Sequence, residues 1–297
     1  MYKEKTNRRL IGLGVVLFAA GMAAAYLWDL PIDTALHSPQ NFAAIFMETM
    51  GFYPLYLPVV LWLALIGNDE KRPVALRALC MLGAVAGCGG LLAYSLHGME
   101  KRGVAQPLLA AGTVWCALFF LYFCLVALMA RRPEAFAARV RFAARWGCVY
   151  MLLDNVAVNA LKLLWNRTRF DDMLALGDFS AFTHWLRPLG NGGSSFPSGH
   201  TAAACSIFVL VLLCDVFPGW HKRRALVWGA CWAYVGGMAL SRLVMGRHYL
   251  SDTLAAAFLM TALFLWMTKW KAYRRDVQRL ALAGHDLLEE TPGENGA

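Results

Sequence analysis

The sequence predicts an all-α, polytopic transmembrane helix bundle, and three observations carry that expectation. Hydrophobic residues fill 59% of the 297 positions and charged residues only 16%, with a mean hydropathy of +0.48, a balance too apolar for a soluble domain. The apolar residues gather into runs near the ~20 residues that cross a bilayer core. Lysine and arginine then alternate between the loops, as orientation across a membrane requires.

Eight runs qualify as spans. The first, Leu10–Trp28, follows a basic start and contains Ala23-Ala24-Ala25; its length and the spans behind it favour a retained signal-anchor over a cleaved peptide. The second, Phe42–Ile66, is the weakest, because Glu48, Pro54 and Pro58 interrupt it, although neighbours can satisfy carbonyls that a proline frees. Val74–Leu96, Leu108–Ala130, Phe142–Leu161, Thr201–Phe217, Ala225–Leu240 and Leu250–Thr268 complete the set. Gly83 with Gly87, and Gly236-Gly237, read as close helix packing within one bundle.

Twenty of the 28 basic residues fall in alternate loops, at 3–9, 71–77, 131–145, 222–224 and 269–279. Both termini are therefore expected on the cytoplasmic side. The other eight, Lys101, Arg102, Lys162, Arg167, Arg169, Arg187, Arg242 and Arg247, sit on the opposite face, where an anionic substrate would explain them. The net charge of +9 fits this signal together with attraction to anionic headgroups; nucleic acid is not an expected partner, since no basic patch lies on a soluble fold. The eight cysteines lie in apolar runs without C-x-x-C spacing, which argues against zinc and a disulfide framework.

One transmembrane domain is expected over 1–270, followed at 271–297 by a cytoplasmic basic helix and a disordered acidic tail. The connection from Thr168 to Ser195 shows no clear helix, and loops that long are usually functional or disordered. Its Phe182, Trp185 and Arg187 fit either substrate selection at the interface or packing on the bundle.

Three clusters carry the chemistry. Pro197-Ser198-Gly199-His200 immediately precedes an apolar helix, so Ser198 is a natural N-cap and the free N–H groups of the first turn form an anion site. Gly199 admits a phosphate to the backbone, and His200 can give a proton to a leaving alkoxide. His248 and Asp252 are four apart, on one face if helical, so that the carboxylate can fix one imidazole nitrogen and leave the other as a nucleophile. Arg242 and Arg247 add guanidinium forks that match phosphate oxygens. Lys162 and Arg169 supply a point charge and a fork seven residues apart, with Arg167 between. Upstream, Asn155, Asn159 and Lys162 draw a polar stripe that must face the bundle interior or water, with Asp154 beside it. In the expected topology all three clusters emerge on one face.

In this order the clusters closely resemble the signature of the type 2 phosphatidic acid phosphatase (PAP2) superfamily, which also includes vanadium haloperoxidases and bacterial acid phosphatases. Its pattern, K-x6-R-P, P-S-G-H and S-R-x5-H-x3-D, appears as Lys162 with Arg169, Pro197 to His200, and Ser241-Arg242 with His248 and Asp252. Only the first proline departs, being Phe170. The resemblance implies a PAP2-like six-helix core, with its motif-bearing part at about 140–268, and a metal-independent mechanism without a cofactor. It assigns His248 as the nucleophile forming a phosphohistidine, Asp252 as its orienting partner and His200 as the acid and base. Lys162, Arg169, Ser198, Gly199 and Arg242 would bind the phosphate, with Arg167 and Arg247 as auxiliaries outside the motifs.

The expected function is hydrolysis of a lipid phosphomonoester or diphosphate: undecaprenyl diphosphate, phosphatidic acid, phosphatidylglycerol phosphate or a lipid A phosphate. Its partners are that lipid and the bilayer, in a bacterial cytoplasmic (inner) membrane with the site on the extracytoplasmic face. The alternatives are a lipid phosphotransferase with the same intermediate, and a transporter, against which stands the clustering of charge at one face.

Overall fold

A computed structural model describes residues 2–104, 134–190 and 192–289. Regular structure among them is helical: α1 (Tyr2–Leu36), α2 (Phe42–Met50), α3 (Tyr53–Gly67), α4 (Val74–Lys101), α5 (Glu134–Trp165), α6 (Phe170–Leu176), α7 (Gly199–Cys205), a 3-10 turn (Ser206–Phe208), α8 (Val209–Val216), α9 (Pro218–His221), α10 (Arg224–Val244), α11 (Leu250–Met267) and α12 (Lys271–Glu289). Among the described residues six helical runs are long and apolar enough to cross a membrane: Ile11–Leu36, Phe42–Gly67, Val74–Lys101, Glu134–Leu176, Gly199–Val216 and Leu250–Met267. They suggest an integral membrane protein. Leu82, Val156 and Leu163, 68%, 70% and 76% exposed, are what lipid-facing helix surfaces show.

Of the eight expected spans, the fourth, Leu108–Ala130, lies outside the described residues, as does the tail from 290 onward. The seventh falls on helix α10, which is not among these six runs. The weak second span is two helices, because the chain breaks at Gly51-Phe52. Asn41 caps the first of them, its side chain accepting from the Ala44 N–H.

The expectation of no helix between Thr168 and Ser195 is corrected by α6. Asp171 and Asp172 occupy its first turn, where the helix dipole favours them, and Gly177 ends it with φ 65°. Phe170 stands at the first position, which is the place a proline favours. Here burial holds the segment instead: Phe170 is 2% exposed and packs with Met173 and Tyr249.

Contacts divide the chain into two compact units. The first comprises 1–52, 153–205 and 233–262. In it α1 packs on α11, with Phe18 stacked on Phe258, and on the long loop, where the Trp185 indole donates to the Met22 carbonyl at 3.0 Å. The packing account of that tryptophan therefore holds. The loop returns along the end of α5: Leu189, Gly190, Gly193 and Ser195 donate from their backbones to the carbonyls of Leu164, Trp165, Asn166 and Arg167. At Gly193 the approach is so close that a Cβ would stand 2.2 Å from the Arg167 carbonyl oxygen. Gly193→Ala is accordingly expected to cost about 1–3 kcal/mol, read as a lower melting temperature in detergent; unchanged melting would contradict this close approach.

The second unit comprises 53–152, 206–232 and 263–297. Gly83 and Gly87 lie under Leu63 and Val60, which is the packing their spacing predicts. Phe208, Trp228 and Phe264 form an aromatic cluster. The start of α12 is docked rather than merely interfacial, since Asp276 accepts from the Trp146 indole at 3.1 Å and pairs with Arg145. Among the described residues the six cysteines form no disulfide.

Candidate active site

All eight residues named from the motifs belong to the first unit. His248 is 3% exposed, and its Nδ1 lies 2.7 Å from the backbone carbonyl of Ser195. A carbonyl only accepts, so Nδ1 carries the proton and Nε2 presents its lone pair. Burial pulls this imidazole from its ordinary value down to about 4, although the Asp252 carboxylate works against the shift. The ring is therefore neutral near pH 7, the form a nucleophile needs.

His248 and Asp252 do not share a continuous helix face, because α11 begins only at Leu250. Asp252 reaches back to accept from the Tyr249 N–H at 3.0 Å, as an acid in a first turn caps its own helix. Its Oδ2 is 3.6 Å from His248 Nδ1, beyond a direct hydrogen bond. The link runs through Ser195, whose hydroxyl donates to Asp252 Oδ2 while its carbonyl takes the imidazole proton. Sequence reasoning missed Ser195 because nothing local marks it.

Ser198 is the N-cap expected: its hydroxyl accepts from the Thr201 N–H at 3.3 Å. The first intrahelical bond of α7 is Ala202 N–H to Ser198 C=O, which leaves the Gly199 and His200 N–H groups free of helical acceptors. Lys162 Nζ sits beside Gly199, 3.2 Å from where a Cβ there would stand. His200 is half-buried, edge-on to Phe52, and within electrostatic reach of Arg242, His248, Lys162 and Arg169. Arg169, at the head of α6, donates to Ser194 Oγ at 3.0 Å, while its buried Nε has no partner among the described residues. Arg242 is 1% exposed and pairs with Glu48 at 3.2 Å. The acid that weakened the second span thus faces a motif arginine.

Of the two auxiliaries, Arg167 is corrected. Arg167 is fully buried and entirely taken up by protein: Nη1 donates to Asp252 Oδ1 at 2.7 Å and to Ser251 Oγ at 2.8 Å, Nη2 to Asp29 Oδ2 at 2.9 Å, and Nε to the Thr183 carbonyl at 2.8 Å. Its guanidinium lies 4.0 Å from the centre of the Tyr249 ring, and burial among these groups pushes the Tyr249 phenol up. Arg247 pairs with Asp171 at 2.5 Å, and that carboxylate outweighs burial and holds the guanidinium above its ordinary value. Asn159 is exposed and donates to the Asn155 carbonyl, whereas the inward line on α5 is Asp154, Val158 and Lys162, with Asp154 only 4% exposed.

Asp29 went unnoticed because the first apolar window stops at Trp28. An acid inside a spanning helix is the signal that finds it, since such groups are costly unless partnered. No curated protein and no solved structure gives a significant match to the chain. The family model described as PAP2 superfamily matches residues 143–276, a stretch that contains all eight motif residues and excludes Asp29 and Glu48. Over that segment the chain is similar to the PAP2 superfamily.

Proposed function

We propose that this protein hydrolyses a lipid phosphomonoester or diphosphate through a phosphohistidine on His248. The match to the PAP2 superfamily model and the apolar helices support a phosphatase of the PAP2 type. The observation that carries the finer reading is the Ser195 carbonyl on His248 Nδ1, because it leaves Nε2 as the only imidazole nitrogen able to attack.

In this reading the phosphoryl group lies between His248 and the cations Lys162, Arg169 and Arg242, with Ser198 and the Gly199 N–H completing the cradle. Nε2 attacks phosphorus in line as the bond to the leaving oxygen breaks, and His200 supplies that oxygen with a proton. His200 then takes a proton from water, which displaces phosphate from His248. A substrate held in the bilayer suits a site on helix ends, and the extracytoplasmic face of a bacterial inner membrane suits the arginines that topology leaves unexplained. Undecaprenyl diphosphate, phosphatidic acid, phosphatidylglycerol phosphate and lipid A phosphates all offer the required group.

The test is phosphate release by the detergent-solubilised full-length protein from each of these lipids, with EDTA present. Release insensitive to EDTA, inhibited by vanadate and accompanied by an acid-labile, alkali-stable phosphoenzyme is expected. A metal requirement, or phosphate appearing only on a second acceptor, would sink the hydrolytic mechanism.

A further inference from the structure

We propose that the first helix, outside the segment matched to the family, is a working part of the site, with Asp29 as a positioning residue that shares Arg167 with Asp252 and fixes the first turn of α11, so that the Asp252 charge beside His248 is not cancelled. The inference rests on the phosphohistidine reading above. Asp29, Arg167 and Asp252 are 1%, 0% and 0% exposed, so their charges are little screened by salt. One guanidinium serves both carboxylates, at 2.9 Å and 2.7 Å, which leaves this trio with a formal charge of −1. Asp29 also accepts from the Ser251 N–H at 2.9 Å and from the Ser251 hydroxyl. It thereby fixes the first turn of α11, which carries Asp252.

The surplus charge has a use in the reaction. When His248 Nε2 bonds to phosphorus and the leaving oxygen departs with the proton of His200, the ring keeps its Nδ1 proton and becomes a phosphoimidazolium. That positive charge forms 3.6 Å from Asp252 Oδ2. Without Asp29, Arg167 would face Asp252 alone and cancel the carboxylate just where it must stabilise the ring. One guanidinium arm and the Ser251 N–H would also lose their acceptors. None of the bonds that Asp29 makes reaches Lys162, Arg169, Gly199 or Arg242, so the loss falls on the chemical step and not on phosphate binding.

The full-length enzyme in detergent, with dioctanoyl phosphatidic acid and farnesyl diphosphate as probes, reads this directly. Asp29→Asn is expected to lower kcat about 10–100-fold with KM within about twofold, and to slow phosphoenzyme formation by the same factor. Asp29→Glu should recover more kcat than the equally long Asp29→Gln, since only charge separates them. Where Asp29→Asn does not accumulate as folded protein, Ser251→Ala provides the second measurement, with a fall in kcat at unchanged KM. A kcat for Asp29→Asn within twofold of wild type overturns the proposal, as does an effect confined to KM or equal turnover by the Glu and Gln variants. Wild-type protein that releases no phosphate fails the parent reading, and the inference with it. Wild-type turnover that His248→Ala removes and Asp29→Asn leaves intact fails the inference alone.

Discussion

His248→Ala is expected to lower phosphate release by about 10⁴-fold or more, the scale on which removal of a covalent nucleophile acts, and to leave no phosphoenzyme. The protein should remain folded, because His248 makes one backbone hydrogen bond and lies just before α11 rather than within it. The pH profile of the wild type gives an independent reading of the same residue. An imidazole held at about 4 is neutral over the whole range above that value, so the acid limb of kcat/KM assigned to His248 should fall near pH 4 instead of the usual ~6.5. The sign for stability follows from the same shift. The folded value is depressed, so the fold binds fewer protons than the unfolded chain between about 4 and ~6.5. The stability that comes from keeping His248 neutral is fully present above that window and is lost as pH falls through about 4. A His248→Ala protein that still turns over, or an acid limb near ~6.5 belonging to this residue, would remove it as the buried nucleophile.

Arg167→Gln is expected to act on stability as much as on rate. The guanidinium is fully buried and holds two buried carboxylates, and taking one partner from such a group leaves uncompensated charge that costs about 3–5 kcal/mol. The Thr183 carbonyl and Ser251 hydroxyl lose a donor at the same time. Thermal unfolding in detergent should show a large drop in melting temperature, with turnover lost because Asp252 and Ser195 no longer hold His248. An Arg167→Gln protein with wild-type melting and only a raised KM would instead make Arg167 a substrate ligand, contrary to its bonds here. Arg169, two residues on, is the contrasting case, since its Nε has no partner among the described residues.

These two arginines mark the limit of what the chain discloses. Both lie just beyond the end of α5, on either side of Thr168, and nothing local distinguishes a guanidinium that will be buried from one turned toward an anion. Ser198 differs, because a serine directly before an apolar run acts on N–H groups two or three residues away, and the cap it forms is the one expected. The helix α6 was legible in principle from Asp171, Asp172 and Gly177, but its seven residues are too few for a periodic pattern to outweigh the loop composition around it. The inward face of α5 is hidden for a related reason: Asn155 and Asn159 keep helical spacing, yet Asn159 is exposed and bonds to its own helix, and the buried line runs one residue earlier through Asp154 and Val158.

Apolar runs, alternating basic loops and the three motifs are properties of neighbouring residues, so the sequence by itself determined an all-helical membrane chain and the residues that resemble a phosphate site. Which groups hold those residues was decided by tertiary structure alone. The Ser195 carbonyl on His248, Asp252 on Arg167 and Asp29 on Arg167 join positions 53, 85 and 138 residues apart. A buried charge takes whatever opposite charge the packing brings within hydrogen-bonding distance, and no spacing along the chain encodes that choice.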